Sequence, residues 1–295
     1  MPLAPIAQLM EDARKGRYAV GYFESWNLES LQGTIDAAEA ARAPIIIGFN
    51  GEFLSHPGRK AAERLSWYAE LGKEAAHAAD VPCGLIFNEC ANDEWVERAA
   101  MAGFNLVMPA DPAASHEDYT RRVRALAELA HQCGASVEAE IGELPCGASG
   151  AIAGGGSLTD PDVAARFVEA TKVDLLAVSV GNVHIRVKGE SGLNLRRLKE
   201  IRKKVSIPLV LHGGTGIAPD ALREAIALGV AKVNYGTYLK QRYLAAVRAA
   251  LKGSNSNPHE LLGLGGDPDI MVAGRLAVRD AILERIETLG CTGKA

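Results

Sequence analysis

Short apolar segments with the pattern of buried strands alternate with helical patterns along the whole chain. Eight strands are predicted, each followed by a helix: 18–23, 44–50, 83–88, 105–109, 136–141, 175–180, 208–211 and 231–235. Eight β-then-α units in 295 residues are typical of a (β/α)8 TIM barrel, here a single domain over 1–295. The competing fold, an open doubly wound sheet, usually begins with a glycine-rich turn. The first predicted turn, 23–26, has no glycine, so the sequence favours the barrel.

Two helical patterns near the end of the chain, at 238–252 and 267–289, exceed what eight units need. The second carries apolar residues at helical spacing: Ile270, Leu276, Ile282 and Ile286. A helix with an apolar face packs either against a partner subunit or against its own barrel, and both alternatives are open. A homodimer or a homotetramer is the assembly that we expect.

The composition excludes several classes of protein. A net charge of −4 and a pI near 6.0 give no reason to expect a nucleic-acid or anionic-membrane partner. No apolar run reaches the roughly 18 residues of a membrane span, and the segment from Met1 to Lys15 lacks the order of a signal peptide. The cysteines are odd in number and lack paired spacing, as in a reducing compartment: Cys83, Cys90, Cys133, Cys146 and Cys291. We therefore expect a cytoplasmic protein.

Polar or ionisable residues follow seven of the predicted strands. They are Glu24, Asn50, Asn88 with Glu89, Glu140, His184, His212 and Asn234. In a parallel barrel all strands end at one mouth, where the catalytic groups of such enzymes lie. Each polar group buried there without a hydrogen-bond partner would lower the stability of the fold. Each has a plainer explanation as a helix cap or a solvated rim residue, but together they predict an active site.

His184 and His212 end adjacent predicted strands, so their side chains are expected to meet over this mouth. Two imidazoles and a carboxylate with an open position suit a catalytic Zn²⁺ or a similar divalent ion. His212 is followed by glycines whose backbone N–H groups can face an anion, ahead of a helix near Pro219. The predicted phosphate-binding residues are Gly181, Gly213, Gly214, Thr215, Asn234 and Thr237.

With these motifs in this order, the chain resembles the class II, metal-dependent fructose-bisphosphate and tagatose-bisphosphate aldolase family. The matching stretches are Val-Glu-Ala-Glu-Ile-Gly at 137–142, Thr-Asp-Pro at 159–161, Val-Asp-Leu-Leu-Ala-Val at 173–178, His-Gly-Gly-Thr-Gly at 212–216, and Asn234 with Thr237. The resemblance implies a lyase that acts on a phosphorylated ketose. It also implies a divalent metal, held partly by His184 and His212, that polarises the ketose carbonyl and stabilises the enediolate.

The third strand departs from the family pattern. Where the family has an Asp that moves the proton and a His that binds the metal, this chain has Asn88 and Glu89. An amide cannot take up a proton near neutral pH. At the end of the first strand, Glu24 stands where the family has Asn and adds a carboxylate.

Three outcomes are open. Glu89 can replace the lost ligand, giving a metal site of His184, His212 and Glu89, with the proton carried by Glu24 or Glu140 beside Asn88. Alternatively, no metal binds and the carboxylates act as acid and base. The third outcome is a non-catalytic relative that serves as a partner subunit or a sugar-phosphate binder. The first outcome is our main hypothesis, with a sugar phosphate as the small-molecule partner.

Overall fold

Eight parallel strands close into a barrel in which each strand pairs with the next along the chain and the last pairs with the first. The computed structural model describes residues 3–111, 113–142, 157–182, 192–252 and 255–295. The strands are β1 Val20–Ser25, β2 Ile45–Asn50, β3 Cys83–Cys90, β4 Leu106–Pro109, β5 Ser136–Ile141, β6 Leu175–Val178, β7 Leu209–Leu211 and β8 Val230–Tyr235. The predicted TIM barrel is therefore confirmed.

Helices follow the strands and surround the barrel. Those in the described ranges are α1 Ile6–Gly16, α2 Leu28–Ala41, α3 Gly51–Ser55, α4 Leu65–Ala78, α5 Asp93–Met101, α6 His116–Gln132, α7 Pro161–Thr171, α8 Leu195–Lys204, α9 Pro219–Ala227, α10 Thr237–Ala250, α11 Pro258–Leu261 and α12 Ile270–Leu289. A short 3₁₀ turn, Gly214–Gly216, lies between β7 and α9. Within these ranges no helix is both long enough and apolar enough to cross a membrane.

The boundaries differ from the sequence prediction mainly around the second and third strands. The short helix α3 was not predicted; it begins because the side chain of Asn50 accepts a hydrogen bond from the backbone N–H of Phe53. Pro57 and Gly58 then interrupt the chain, and the next helix, α4, starts at Leu65. β3 runs two residues further than predicted and ends at Cys90, which places Glu89 inside the strand together with Asn88.

The last helix, α12, packs against its own barrel between α2 and α10. Ile282 and Ile286, two of the four predicted apolar positions, are buried, whereas Leu276 is 39% exposed. Arg275 at the start of α12 forms a two-pronged ion pair with Asp36 of α2, with N···O distances of 2.6 and 2.7 Å. The buried face of α12 therefore covers the barrel, and contact with a partner subunit stays a prediction.

Side chains two apart on a strand share one face of the sheet, and this alternation directs the site residues inward. Glu138 of β5 and Lys232 of β8 touch although their strands are not neighbours. Both therefore point into the barrel, and Glu140 and Asn234, two residues further along the same strands, point the same way toward the mouth. Charged side chains fill a part of the interior that apolar residues occupy in an ordinary barrel core.

The close approach of α2 to α12 predicts the effect of one substitution. A Cβ added at Gly33 would lie 2.5 Å from the carbonyl oxygen of Arg275 and 3.2 Å from Cβ of Val278. Because a backbone atom cannot rotate away, we expect Gly33→Ala to lower the free energy of unfolding by about 1–3 kcal/mol. Urea denaturation followed by circular dichroism measures the change.

Gly266→Ala serves as the control, since a Cβ there meets only Pro268, at 3.7 Å, in ordinary contact. Equal stability of the two variants would show that α2 and α12 do not pack this closely.

Candidate active site

His212 lies at the centre of a cluster of carboxylates at the end of β7. Its Nδ1 is 3.0 Å from Oε1 of Glu89 and 3.1 Å from Oε2 of Glu140, while its Nε2 is 2.9 Å from Oε1 of Glu138. The ring is only 1% exposed. The three carboxylates come from β3 and β5, so the closed barrel brings together residues that are far apart in sequence. Of the predicted site residues, the structure unites Glu89, Glu140 and His212.

The backbone of His212 is fixed as well. Asn182, fully buried after β6, donates a hydrogen bond from Nδ2 to the carbonyl oxygen of His212 at 3.0 Å, and its Oδ1 accepts one from the N–H of Val180 at 2.9 Å. One amide therefore ties the ends of two neighbouring strands together, which holds the imidazole at a defined height in the mouth.

Glu89 reaches this cluster through an unusual backbone conformation. Its φ is 51°, in the left-handed region that a residue other than glycine seldom adopts, and β3 shifts its register against β4 between Phe87 and Cys90. The second oxygen of Glu89 accepts a hydrogen bond from Nδ2 of Asn50 at 2.9 Å. Such strain costs about 1–3 kcal/mol and often occurs at functional sites. It directs the Glu89 carboxylate toward His212.

Glu138 connects His212 to a lysine that the sequence analysis missed. Its Oε2 lies 2.7 Å from Nζ of Lys232, and both side chains are completely buried. Lys232 also donates a hydrogen bond to Oδ1 of Asn234 at 2.5 Å, and its ammonium lies 5.2 Å from the centre of the Tyr22 ring. The sequence signal for this residue was its position: a lysine in an apolar strand, two residues before the asparagine at the strand end.

The charges of this network follow from its contacts. Burial disfavours an ionised Glu138, but the charges of Lys232 and His212 prevail and hold its pKa below the usual 4.5. Burial likewise disfavours a protonated His212, yet the neighbouring Glu140, Glu138 and Glu89 raise its pKa well above 6.5. Burial lowers the pKa of Lys232 from 10.5, although Glu138 opposes that shift. The network therefore favours an anion held between two cations.

Several buried polar atoms around the mouth have no hydrogen-bond partner among the described residues. They include Oδ1 of Asn88, Nδ2 of Asn234, the Tyr22 hydroxyl and the Ser25 hydroxyl. Buried polar atoms are nearly always satisfied, so such a group of donors and acceptors indicates a site that takes a polar ligand. The predicted position of Asn88 in the mouth fits this interpretation.

Glu24 forms an ion pair with a lysine of α10. Its carboxylate lies 2.5 Å from Nζ of Lys240 on α10, and the residue is 7% exposed. Gly236, at the start of α10, passes so close that an added Cβ would overlap Oε2 of Glu24. The Lys240 ammonium also lies 4.2 Å from the centre of the Phe53 ring. A carboxylate of the protein itself thus sits at the positive end of α10.

Two glycines among the predicted phosphate-binding residues have a positive φ. Gly213 has a φ of 66° and Gly181 a φ of 99°, both in the region that favours glycine. Gly214 is buried, and a Cβ there would lie 2.7 Å from Val233 and 2.8 Å from the Tyr235 ring, so the β7 loop packs tightly on β8. Thr215 lies in the short 3₁₀ turn, and Thr237 is the first residue of α10.

Part of the predicted site lies outside the described residues. His184, the second predicted metal ligand, falls in 183–191, and the range 143–156 is likewise not described. Cys146 lies in that second range; the other four cysteines are free thiols.

A closed (β/α)8 barrel with an ionisable cluster at the ends of its strands is the architecture of a TIM-barrel enzyme. Residues 4–294 match the family described as "Fructose-bisphosphate aldolase class-II", and the chain belongs to that family. The resemblance inferred from the motifs is confirmed.

Relatives match along the whole chain. "Uncharacterized protein YdjI" from Escherichia coli is 36% identical over 295 residues, covering 99% of both proteins. "Probable fructose-bisphosphate aldolase" from Bacillus subtilis is 33% identical over 303 residues, covering all of both.

Solved structures show the same fold. The crystal structure of the YdjI aldolase from E. coli superposes with a TM-score of 0.82 at 33% identity, covering 99% of each chain. A putative fructose-1,6-bisphosphate aldolase from Coccidioides immitis gives 0.81 at 25% identity, covering 98% of this chain and 97% of the other.

Class II aldolases generally depend on a divalent metal. Across the described ranges, no three His, Cys, Asp or Glu side chains form a complete metal site. The donor types nevertheless fit one: Glu138 binds Nε2 of His212, the arrangement usual for metal-bound histidines, and leaves Nδ1 facing the carboxylates of Glu89 and Glu140.

The raised pKa of His212 predicts a pH dependence. In protein stripped of metal by a chelator, His212 should remain protonated at neutral pH. Because its pKa is higher in the folded than in the unfolded chain, the resulting stabilisation is fully present below about pH 6.5 and is lost as the pH rises through the raised value. NMR titration of the imidazole measures the pKa. Glu140→Gln should lower it, and a wild-type ring that titrates at or below 6.5 would contradict the prediction.

The ion pair of Glu24 predicts a second effect. Lys240→Met leaves the buried Glu24 carboxylate without its ammonium, which we expect to cost about 1–3 kcal/mol of stability, less than for a fully buried pair because Lys240 is 33% exposed. Chemical denaturation measures the loss. Adding Glu24→Gln should recover part of it; a double variant less stable than Lys240→Met would argue against the pairing.

Proposed function

We propose that this protein is an aldolase-type lyase that cleaves or forms a carbon–carbon bond in a phosphorylated ketose or a close analogue. Membership of the class II fructose-bisphosphate aldolase family supports the reaction class. The observation that carries the proposal is the position of Nδ1 of His212, within 3.1 Å of the carboxylates of Glu89 and Glu140 at the mouth of the barrel. The proposed metal ligand His212 and the proposed proton carrier Glu140 thus lie side by side.

His184, His212 and Glu89 are the proposed metal ligands, and Zn²⁺ is the proposed ion. Carboxylate is an ordinary zinc ligand, so Glu89 can replace the histidine that the family has at this position. When bound, the ion would supply Lewis-acid polarisation of the ketose carbonyl. Asn50 holds the second oxygen of Glu89, and Glu138 holds the far side of His212, so both ligands are oriented by neighbours.

Glu140 is the proposed proton carrier in place of the family's Asp. It adjoins Nδ1 of His212 and its side chain is 20% exposed, so it can reach a substrate. In the cleavage direction, the hydroxyl proton of the departing carbon passes to Glu140 and a carbonyl forms at that carbon. The electron pair of the broken carbon–carbon bond stays with the ketose fragment as an enolate, which then takes up a proton to give the product ketone. Glu24 is less suited, because its ion pair with Lys240 favours the charged carboxylate.

Asn88 has a different proposed role. Its amide cannot move the proton, but its buried Oδ1 can accept a hydrogen bond from a substrate hydroxyl. A hydroxyl held there lies at the end of β3, next in sequence to Glu89. Asn88 would thus orient the substrate beside the residues that perform the chemistry.

The substrate phosphate is proposed to bind between the loop after β7 and the end of β8. Gly213, Gly214 and Thr215 offer backbone N–H groups, and Thr237, the first residue of α10, offers its hydroxyl. The buried Nδ2 of Asn234 offers a further donor, and Gly181 lies at the end of the adjacent β6. Holding the phosphate would fix the carbonyl and hydroxyl of the ketose relative to His212 and Glu140.

One observation favours a second candidate, a metal-independent lyase. Both ring nitrogens of His212 directly contact carboxylates, an arrangement that a protonated imidazole satisfies by itself. In that case Glu140 and Glu89 would act as acid and base around an imidazolium.

Two carboxylate variants and a chelator test the proposal. We expect Glu140→Gln to keep its metal but to lower kcat by about 10²–10⁴-fold, as loss of a positioned acid–base group does. Glu89→Gln should lose metal, measured by elemental analysis, together with activity in a ketose-phosphate cleavage assay. Glu52→Gln, an exposed change on α3, is the control and should behave as wild type.

The remaining outcomes are distinct. Turnover that survives chelation and a metal-free Glu89→Gln would favour the metal-independent enzyme. No turnover on any sugar phosphate by the metal-loaded protein would indicate a non-catalytic relative.

A further inference from the structure

Lys232 is the most deeply buried cation of the site. Its side chain has no exposure to solvent, and it contacts Oε2 of Glu138 at 2.7 Å and Oδ1 of Asn234 at 2.5 Å, with the Tyr22 ring beneath it. Burying an ammonium group is costly, and a methionine of similar length could fill the same space at a smaller cost. Stability alone therefore gives a weak reason for a lysine here.

The first contact leads to the proposed metal site. Lys232 and His212 bind opposite oxygens of the same Glu138 carboxylate, at 2.7 and 2.9 Å. With one oxygen held by the ammonium, the carboxylate cannot rotate freely, and the ring of His212 is fixed with Nδ1 toward the mouth. Removing such a support behind a metal-binding histidine commonly weakens metal affinity by 10- to 100-fold.

The second contact leads to the proposed phosphate site. Because Lys232 can only donate, the Asn234 atom that it contacts must be the amide oxygen. The NH₂ group of Asn234 must then point the other way, where it has no hydrogen-bond partner within the described ranges although the residue is only 8% exposed. Lys232 thus decides that Asn234 presents donors, rather than an acceptor, to a ligand.

We infer that Lys232 is a positioning residue that couples the two halves of the site, orienting His212 through Glu138 and the amide of Asn234 directly. This inference rests on the proposed function, since it assigns a metal to His212 and a phosphate to Asn234. Lys232 acts through Glu138 and Asn234, the two residues that its ammonium contacts. Its single buried ammonium orients both the imidazole of His212, proposed to bind the metal, and the amide of Asn234, proposed to bind the anion.

Two probes test the coupling separately. The affinity for Zn²⁺ alone is measured without phosphate, and the affinity for inorganic phosphate is measured on chelator-treated protein, so that loss of one ligand cannot mimic loss of the other. Lys232→Met should weaken both by roughly 10-fold or more. Glu138→Gln should mainly weaken Zn²⁺, and Asn234→Ala should weaken only phosphate. Circular dichroism and thermal unfolding establish that each variant is folded.

A double-mutant cycle supplies the discriminating readout. In the Asn234→Ala background, Lys232→Met should weaken phosphate binding no further; in the Glu138→Gln background, it should weaken Zn²⁺ binding little further. Lys232→Met that weakens one probe only, or that adds its full effect in both backgrounds, would overturn the coupling. If Asn234→Ala leaves phosphate binding unchanged, the proposed phosphate site fails, and the inference fails with it.

Should Lys232→Met not fold, Glu138→Gln still decides the matter. Glu138 has no contact with Asn234 except through Lys232 in the described network, so a coupled site requires Glu138→Gln to weaken inorganic phosphate by at least roughly 2-fold. An unchanged phosphate affinity in that variant would show that the two halves of the site are not coupled through Lys232, which would overturn the inference. Lys232→Arg, which keeps the charge, is expected to retain more affinity for both probes than the methionine variant.

Discussion

The ion triad of Glu138, His212 and Lys232 is the interaction on which the rest of the site depends. Three residues at most 1% exposed, an anion between two potential cations, can coexist only because each oxygen of the carboxylate faces a donor. Removing any member leaves charge that water cannot reach. The triad thereby converts a flexible imidazole into one with a single orientation, and Glu89 and Glu140 take their places around its free edge.

The replacement of the family's Asp-His pair by Asn88 and Glu89 changes the chemistry available at β3 while keeping its architecture. The left-handed backbone at Glu89 and the hydrogen bond from Asn50 show that the new carboxylate is held by the structure and does not extend freely into solvent. Meanwhile, Glu140 of β5 places a second carboxylate 3.1 Å from Nδ1 of His212. The loss of the family's Asp at the end of β3 and the presence of Glu140 at the end of β5 are therefore compatible with the reaction class of the family.

Much of the fold and part of the site could be predicted from the sequence. The eight strands are apolar runs buried on both faces, a pattern that depends on composition and spacing alone, and strand ends in a parallel barrel necessarily converge. That argument correctly brought His212, Glu89 and Glu140 together. It missed Lys232, because the argument considered only strand ends, and the partner that allows this lysine to be buried, Glu138, comes from a strand across the barrel. The positive φ of Glu89 was equally inaccessible, since it follows from the register shift against β4.

The contact between Glu24 and Gly236 limits which substitutions the mouth of the barrel can accept. The carboxylate at the end of β1 occupies the volume that any side chain at position 236 would need, and Lys240 lies one helical turn further along α10. A larger side chain at one of these three positions therefore requires a smaller side chain, or one of different charge, at another. Across descendants of this chain they should vary in concert, and libraries that seek altered substrate preference would do best to randomise all three together.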